Sequence, residues 1–180
     1  MRPKEPDKVK LFISLFTAER ALFSEALRRL EKRFGPLDVL SGPLEFKSTD
    51  YYEEEFGQGL ARKAVSFEEL VCADELAEIK LFTNAIEDEF LSFGKKRRVN
   101  IDPGVLSLER LVLASCKNFA HRVYLGSGVF AELTLIYMRS GWKPLEWTYP
   151  DYKDERMRQI LTRMRMRYAF RMGKRLSNHY

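Results

Sequence analysis

The chain has 180 residues, of which 45% are hydrophobic and 32% charged, and its net charge is +5. These values predict one soluble globular domain over residues 1–180, and they exclude a disordered chain. The charged N-terminus and the lack of a ~20-residue apolar run predict neither a secretory signal nor a membrane span. We therefore expect a cytoplasmic protein without a membrane partner. Two cysteines without zinc-type spacing predict reduced thiols and no metal site.

The positive charge is concentrated at the C-terminal end of the sequence. Residues 154–180 contain eight basic and two acidic side chains, a net charge of +6. Residues 1–153 contain 23 basic and 24 acidic side chains, a net charge of −1. The sequence therefore predicts a nearly neutral body with one basic C-terminal segment.

The N-terminal part predicts a β-α-β unit. Val9–Phe16 is a nearly continuous apolar run, which is typical of a strand buried on both faces. Thr17 offers an N-cap hydroxyl for the helix that follows, and Gly35-Pro36 ends this helix. Leu37–Phe46 predicts a second strand with an interruption at Gly42-Pro43. Such a unit favours parallel pairing of its two strands.

The remaining elements predict an α+β fold. The sequence predicts a loop or short helix at residues 47–59 and a strand at residues 60–67. It predicts a helix with an apolar stripe at residues 73–90. The apolar period then shortens towards 2, which indicates antiparallel strands at Val99–Ile101, Leu108–Ala114, Arg122–Leu125 and Val129–Tyr137. An aromatic loop, 142–150, precedes a long basic helix. We expect a mixed sheet of about six to seven strands with C-terminal antiparallel hairpins and helices mainly on one side.

The segment HRVYLGSGVFAELTLIY predicts a hairpin with a buried carboxylate. A two-residue turn places His121 opposite Glu132, and a three-residue loop places Arg122 there instead. One interpretation is a partly exposed salt bridge. The other is a catalytic pair in a cleft, in which Glu132 orients the His121 imidazole for acid–base work.

Two further groups of polar residues are candidates for a ligand site. Lys80, Asn84 and Glu87 are spaced to form one strip of the 73–90 helix beside its apolar stripe. This strip is either an ordinary helix surface or the rim of a cleft.

The segment RVNIDPGVLS places Arg98, Asn100 and Asp102 on one face of a strand. Asp102-Pro103-Gly104 is typical of a turn. Lys117 follows the next predicted strand and is expected near the same end of the sheet. Together with Lys80 and Arg98 it predicts an anion site.

Five segments resemble a known family, namely KSTDYYEEEFG, KLFTNAIEDEF, RVNIDPG, LASCKNFAHRVYLGSGVFAELTLIY and WTYPDY. They resemble the bacterial domain of unknown function 4416 over nearly the whole chain. The resemblance implies a short single-domain protein without an established reaction, in a family whose members are often described as GTP-binding. The chain has no G-x-x-x-x-G-K-[ST] phosphate loop, and Thr83-Asn84 does not continue into a guanine-reading Lys-x-Asp. Any GTP site would therefore differ from that of the P-loop GTPases.

The C-terminal helix predicts a basic surface. Met157, Leu161, Met164, Tyr168 and Met172 are spaced to dock on the body, whereas Met166 and Phe170 point away. The basic residues along one edge are Arg156, Arg163, Arg167, Arg171 and Lys174. They either contact phosphates of RNA or DNA, or cover the core edge and pair with acids of the body. The exposed Met166 and Phe170 are also consistent with a homodimer contact.

Two functional hypotheses follow. The first is binding of a phosphorylated or otherwise anionic small molecule, such as a nucleotide, with enzymatic activity and any cofactor left open. Its residues are Lys80, Asn84, Arg98, Asn100, Lys117, His121 and Arg122, with Glu87, Asp102 and Glu132 as carboxylates. The alternative is an RNA-binding or protein-interaction module that uses the basic helix.

Overall fold

The computed structural model describes residues 2–45, 52, 55–94 and 96–174. In this part of the chain the strands are β1 (Val9–Thr17), β2 (Leu37–Leu40), β3 (Leu44–Glu45), β4 (Ala61–Val71), β5 (Asn100–Leu106), β6 (Arg110–Ser115), β7 (Arg122–Gly126), β8 (Val129–Met138) and β9 (Gly141–Pro144). The α-helices are α1 (Arg20–Phe34), α2 (Leu76–Glu89), α3 (Pro150–Lys153) and α4 (Glu155–Arg171). A 3₁₀ turn, Ala73–Glu75, leads into α2. The segment 47–59 lies partly outside the described residues.

The strands form one antiparallel sheet in the order β2-β4-β1-β5-β6-β8-β7, with β3 beside β4 and β9 beside β8. The α+β class, the N-terminal β-α-β unit and the C-terminal hairpins are confirmed, and the seven strands of this path agree with the expected number. The expected parallel pairing in a mixed sheet is wrong. β1 and β2 run in the same direction, but β4 lies between them and pairs antiparallel with both.

The helices cover both faces of the sheet, so the expectation of helices mainly on one side is also wrong. Leu11, Ile13 and Leu15 of β1 pack with α1 and α2 in one core. Phe12, on the opposite face of β1, packs with α4 in a second core. The alternation of β1 side chains explains this, because a strand buried on both faces needs helices on both.

The expected N-cap at Thr17 is wrong, because helix α1 begins later and its N-cap is Glu19. The Thr17 hydroxyl instead accepts a hydrogen bond from the Glu19 N–H at 2.9 Å and donates one to the Arg98 carbonyl oxygen at 2.7 Å. It therefore joins the end of β1 to the segment that precedes β5.

Strand β5 runs through Asp102-Pro103-Gly104, so the turn expected there is wrong. β1 pairs along β5 from Leu106 to Asn100, and this tertiary pairing overrides the local turn preference. The chain turns only after Leu106, where the Ser107 N–H donates to the Arg110 carbonyl oxygen at 3.0 Å. Asp102 is consequently a strand residue.

Gly104 permits a close approach between β5 and β6. A β-carbon at this position would lie 2.7 Å from the Val112 carbonyl oxygen and 2.7 Å from Leu113 Cδ2. Gly104 pairs with Leu113, and the pairing of the described β5 and β6 residues ends there. The glycine thus lies at the point where the two strands separate.

Candidate functional site

A cavity of about 380 Å³ opens where β5 and β6 separate. β5 continues beside β1 as far as Asn100, whereas β6 continues beside β8 as far as Ser115. Helix α2 closes the gap from one face, and α3 with Tyr149 borders it from the other. This volume is within the range of small-molecule sites in proteins.

Side chains of α2 take the place of a neighbouring strand along the open edge of β5. The Lys80 Nζ donates to the Ile101 carbonyl oxygen at 3.0 Å, and the Ile101 N–H donates to Glu87 Oε1 at 2.6 Å. Both Ile101 groups therefore point away from β1. Backbone groups two residues apart in a strand point the same way, so the nitrogen of Pro103 also points away from β1. At this open edge the missing N–H of proline removes no hydrogen bond to a neighbouring strand.

A chain of polar contacts organises this wall of the cavity. Arg97 contacts both carboxylate oxygens of Glu55, at 2.7 and 2.8 Å, and donates to Asn100 Oδ1 at 3.0 Å. Asn100 in turn donates to Asp102 Oδ2 at 2.6 Å, and Lys80 lies 3.2 Å from Asp102 Oδ1. The wall is thus held in one geometry by two ion pairs that Asn100 joins through hydrogen bonds.

The opposite wall is built on the β7–β8 hairpin. Arg122 pairs with Glu132 across the strands, which selects the second of the two predicted registers. The Arg122 Nε donates to Glu132 Oε2 at 2.7 Å, and His121 Nε2 lies 3.1 Å from the same oxygen. Glu132 is buried, and its Oε1 has no hydrogen-bond partner among the described residues. The His121 ring stacks on Trp147 with centroids 4.9 Å apart.

A further ion pair borders the cavity from β4 and α3. Arg62 Nη2 lies 3.0 Å from Asp151 Oδ2, and both side chains are buried. The guanidinium also lies over the rings of Phe16 and Tyr152, 5.6 Å from each centroid. Burial raises the pKa of Tyr152 above its ordinary value, so this phenol is neutral at physiological pH.

The carboxyl group of Glu87 is buried among charges of both signs. Burial raises its pKa to about 7, and the Asp102 carboxylate acts in the same direction, whereas Lys80 opposes the shift. Burial would lower the pKa of Lys80, but Asp102 and Glu87 outweigh it and raise that pKa. Lys80 is therefore charged, and Glu87 exchanges a proton near neutral pH.

The cavity brings together eight of the predicted site residues: Lys80, Asn84, Glu87, Asn100, Asp102, Lys117, Arg122 and Glu132. Two others lie elsewhere. His121 contacts Glu132 but is outside the cavity lining, and Arg98 forms an exposed ion pair with Glu19. The neighbouring Arg97 reaches the cavity in place of Arg98.

The sequence patterns do not predict several other lining residues, namely Tyr52, Arg62, Asp88, Arg97, Cys116, Tyr149, Asp151 and Tyr152. Three of them, Tyr149, Asp151 and Tyr152, belong to the WTYPDY segment that carries the family resemblance. Their place in a segment that resembles the family is the signal that the sequence offers for them. Arg62 lies in β4, outside the segments that resemble the family, and the sequence around it does not indicate a functional residue.

The basic helix α4 docks as predicted. Met157, Leu161, Met164 and Tyr168 are buried, whereas Met166 is 55% exposed and Phe170 87% exposed. Arg156, Arg163, Arg167 and Arg171 are exposed, and no carboxylate of the described residues pairs with their guanidinium groups. Lys174, in contrast, pairs with Asp7 at 2.7 Å. We call Arg163, Met166, Arg167, Phe170 and Arg171 the α4 ridge.

The described residues contain no group of three or more His, Cys, Asp and Glu side chains placed to hold a metal ion. None of their helices is long and apolar enough to cross a bilayer.

Sequence comparison relates the chain to one family. The profile named "Domain of unknown function (DUF4416)" matches residues 7–168. No curated protein and no solved structure matches the chain. The match covers β1 to most of α4 and includes every cavity residue, and the chain therefore belongs to the DUF4416 family.

Proposed function

We propose that the cavity binds a small anionic molecule that carries a phosphate or similar group, nucleotides included. The observation that carries this proposal is the buried Lys80 at the gap between β5 and β6. Its ammonium group has three N–H donors, of which Ile101 and Asp102 take two. No described residue accepts the third, so a ligand oxygen would complete the set.

The composition of the lining supports the same class of ligand. Five cationic side chains line the cavity, Arg62, Lys80, Arg97, Lys117 and Arg122, together with five carboxylates, Glu87, Asp88, Asp102, Glu132 and Asp151. Most of these cationic side chains form ion pairs with carboxylates. The ion pairs fix the direction of the N–H groups that are left for a ligand, so the site is preorganised. Tyrosine side chains at the rim, such as the half-exposed Tyr149, offer stacking surfaces for a base or sugar.

Thermal unfolding in the presence of candidate ligands tests the proposal. Phosphate, glucose 6-phosphate, GMP and GTP would each be added with and without Mg²⁺. A ligand at 100 times its Kd stabilises the fold by about 2.7 kcal/mol, which for a chain of this size raises Tm by about 5–10 °C. No saturable shift with any of these compounds would contradict the proposal.

The chain offers a matched control for the role of Lys80. Lys10 is also buried and also contacts one aspartate, Asp38, and one backbone carbonyl, that of Phe67. Lys10 does not line the cavity. We expect Lys80→Met to abolish the ligand-induced shift, and Lys10→Met to keep it despite a similar loss of stability. Equal ligand shifts in both variants would contradict the assignment.

A second candidate function, binding of single-stranded RNA, is favoured by the α4 ridge. Arg163 and Arg167 are exposed without a carboxylate partner among the described residues, and the exposed Phe170 ring beside them can stack on a base. We expect Arg163→Ala/Arg167→Ala to weaken RNA binding and to reduce the slope of log affinity against log salt by about 1.4.

Fluorescence anisotropy of a labelled RNA oligonucleotide would measure this effect. Arg29→Ala/Arg33→Ala on α1 is the control, because these arginines share the same spacing but pair with Glu25, Glu89 and Glu78. An equal effect of both double variants, or the absence of RNA binding at low salt, would contradict this second function.

A further inference from the structure

Glu87 presents an oxygen to the cavity that lacks a hydrogen-bond donor. The residue is 5% exposed, and its Oε1 accepts a hydrogen bond from the N–H of Ile101 at 2.6 Å. Oε2 lies 3.7 Å from the Arg97 Nη1, which exceeds a hydrogen-bond distance, and no other described residue donates to it. Glu87 lines the cavity, so Oε2 is the oxygen available to a ligand.

The two protonation states of Glu87 have opposite effects on an anion. The ionised carboxylate repels an anion in the same cavity and has no donor to offer. The protonated carboxyl group is neutral, and its O–H can donate to an anion oxygen. Lys80, on the same strip of α2, has the further unused donor described above.

We propose that the cavity takes up a doubly charged anionic group, of the sulfate or phosphate type, together with one proton, and that Glu87 holds this proton. The inference rests on the proposed small-anion function and adds its ligand class and its proton requirement. The proton comes from solvent, and no covalent bond of the ligand changes. Glu87 and Lys80 then donate to the anion, and Oε1 stays on the backbone of β5.

Charged groups act on Glu87 from α2 and from the β5 side, namely Lys80, Asp102 and Arg97. Asp88 on α2, and Cys116 and Lys117 after β6, line the same cavity. Arg97 is engaged by Glu55, and Lys80 is engaged by Asp102. Burial raises the pKa of Glu87 to about 7, which places its proton exchange in the physiological range. The imidazole of His121 lies 3.1 Å from Glu132 Oε2, so its contribution to any proton uptake must be distinguished from that of Glu87.

Sulfate is the appropriate probe, because it stays doubly charged throughout the pH range of the test, whereas phosphate itself titrates near pH 7. Isothermal titration calorimetry would measure sulfate binding between pH 6 and pH 9. Above pH 7 we expect the Kd to rise about tenfold per pH unit. At pH 8, two buffers of different ionisation enthalpy should report uptake of about one proton per sulfate bound. This measurement needs only the wild-type chain.

The variant Glu87→Gln assigns the proton to its residue. It keeps the acceptor for the Ile101 N–H and cannot ionise, so we expect sulfate binding with a nearly constant Kd and no proton uptake. Glu89→Gln replaces an exposed carboxylate of α2 that pairs with Arg29 and does not line the cavity, so this variant should retain the wild-type pH dependence. Proton uptake that persists in Glu87→Gln and disappears in His121→Gln would overturn the inference.

The outcomes separate this inference from the function on which it rests. Sulfate binding that is independent of pH in the wild type would overturn the proton requirement and leave the anion cavity standing. A phosphorylated compound that stabilises the chain while sulfate does not bind at pH 6 would likewise overturn only the inference. Failure of every anion to bind would overturn both.

Discussion

Glu87 also gives the fold a pH-dependent stability that requires no ligand. Its pKa rises from the ordinary value of 4.5 to about 7 because the carboxyl group is buried. Between these values the folded chain holds a proton that the unfolded chain has lost, so the free energy of unfolding falls as the pH rises. This loss of stability is absent below the pKa of the unfolded chain and complete above the pKa of the folded chain. At about 1.4 kcal/mol per pKa unit, the complete cost is about 3 kcal/mol.

Replacement of Glu87 by glutamine should remove this cost. The amide is neutral at every pH, and its oxygen can still accept the Ile101 N–H that now binds Oε1. Relative to the wild type, we expect Glu87→Gln to gain stability by about 2–3 kcal/mol between pH 5 and pH 8. The variant should therefore be the more stable protein in mildly alkaline buffer, although it has lost a carboxylate that lies near Lys80 and Arg97.

Urea unfolding at pH 5, 6, 7 and 8 would measure this difference, with Asp88→Asn as the control. Asp88 follows Glu87 on α2 but is exposed, so its replacement should give a difference that changes little with pH. A stability difference between wild type and Glu87→Gln that stays constant within about 0.5 kcal/mol over this range would refute the reasoning.

The remaining predictions concern contacts around the cavity and at α4, and thermal or urea unfolding measures all of them. Gly104→Ala should cost about 1–3 kcal/mol because its β-carbon would meet a β6 carbonyl oxygen, whereas Gly42→Ala, with open space around it, should be nearly neutral. Arg122→Leu should cost about 3–5 kcal/mol because it leaves the buried Glu132 without its arginine, and a loss below 1 kcal/mol would contradict a buried ion pair. Tyr168→Phe should cost about 1 kcal/mol because it removes the hydrogen bond from the Tyr168 hydroxyl to the Lys8 carbonyl oxygen, and an unchanged stability would contradict this contribution.

Local patterns were sufficient to predict elements but insufficient to predict strand neighbours. The strand β1 and the helix α2 are predictable from the sequence because burial directly imposes the spacing of their apolar residues. The insertion of β4 between β1 and β2 is not predictable in this way, because it depends on pairing between residues far apart in the sequence. The turn expected at Asp102-Pro103-Gly104 failed for the same reason, since pairing with β1 extends the segment.

The candidate site shows the same division between local and long-range information. The strip of Lys80, Asn84 and Glu87 follows from helical spacing alone, and all three line the cavity. The two-residue period of a strand predicts Arg98 at the site, but β5 begins only at Asn100, so the period does not hold for the residues before it and Arg97 reaches the cavity instead. The separation of β5 from β6, which creates the cavity, has no local signature.

The position of β4 also has a consequence for synthesis of the chain. Within the described residues, β1 and β2 find their strand partners only in β4 and β5, which end at Val71 and Leu106. A growing polypeptide on the ribosome therefore carries the apolar β1 with both hydrogen-bonding edges open until β4 has emerged. Helix α1 can cover one face of β1 during this interval, but the other face stays exposed until α4, the last helix to be synthesised, packs on it. Most of the folding of this chain therefore occurs late in translation, and N-terminal fragments that stop before Val71 should aggregate.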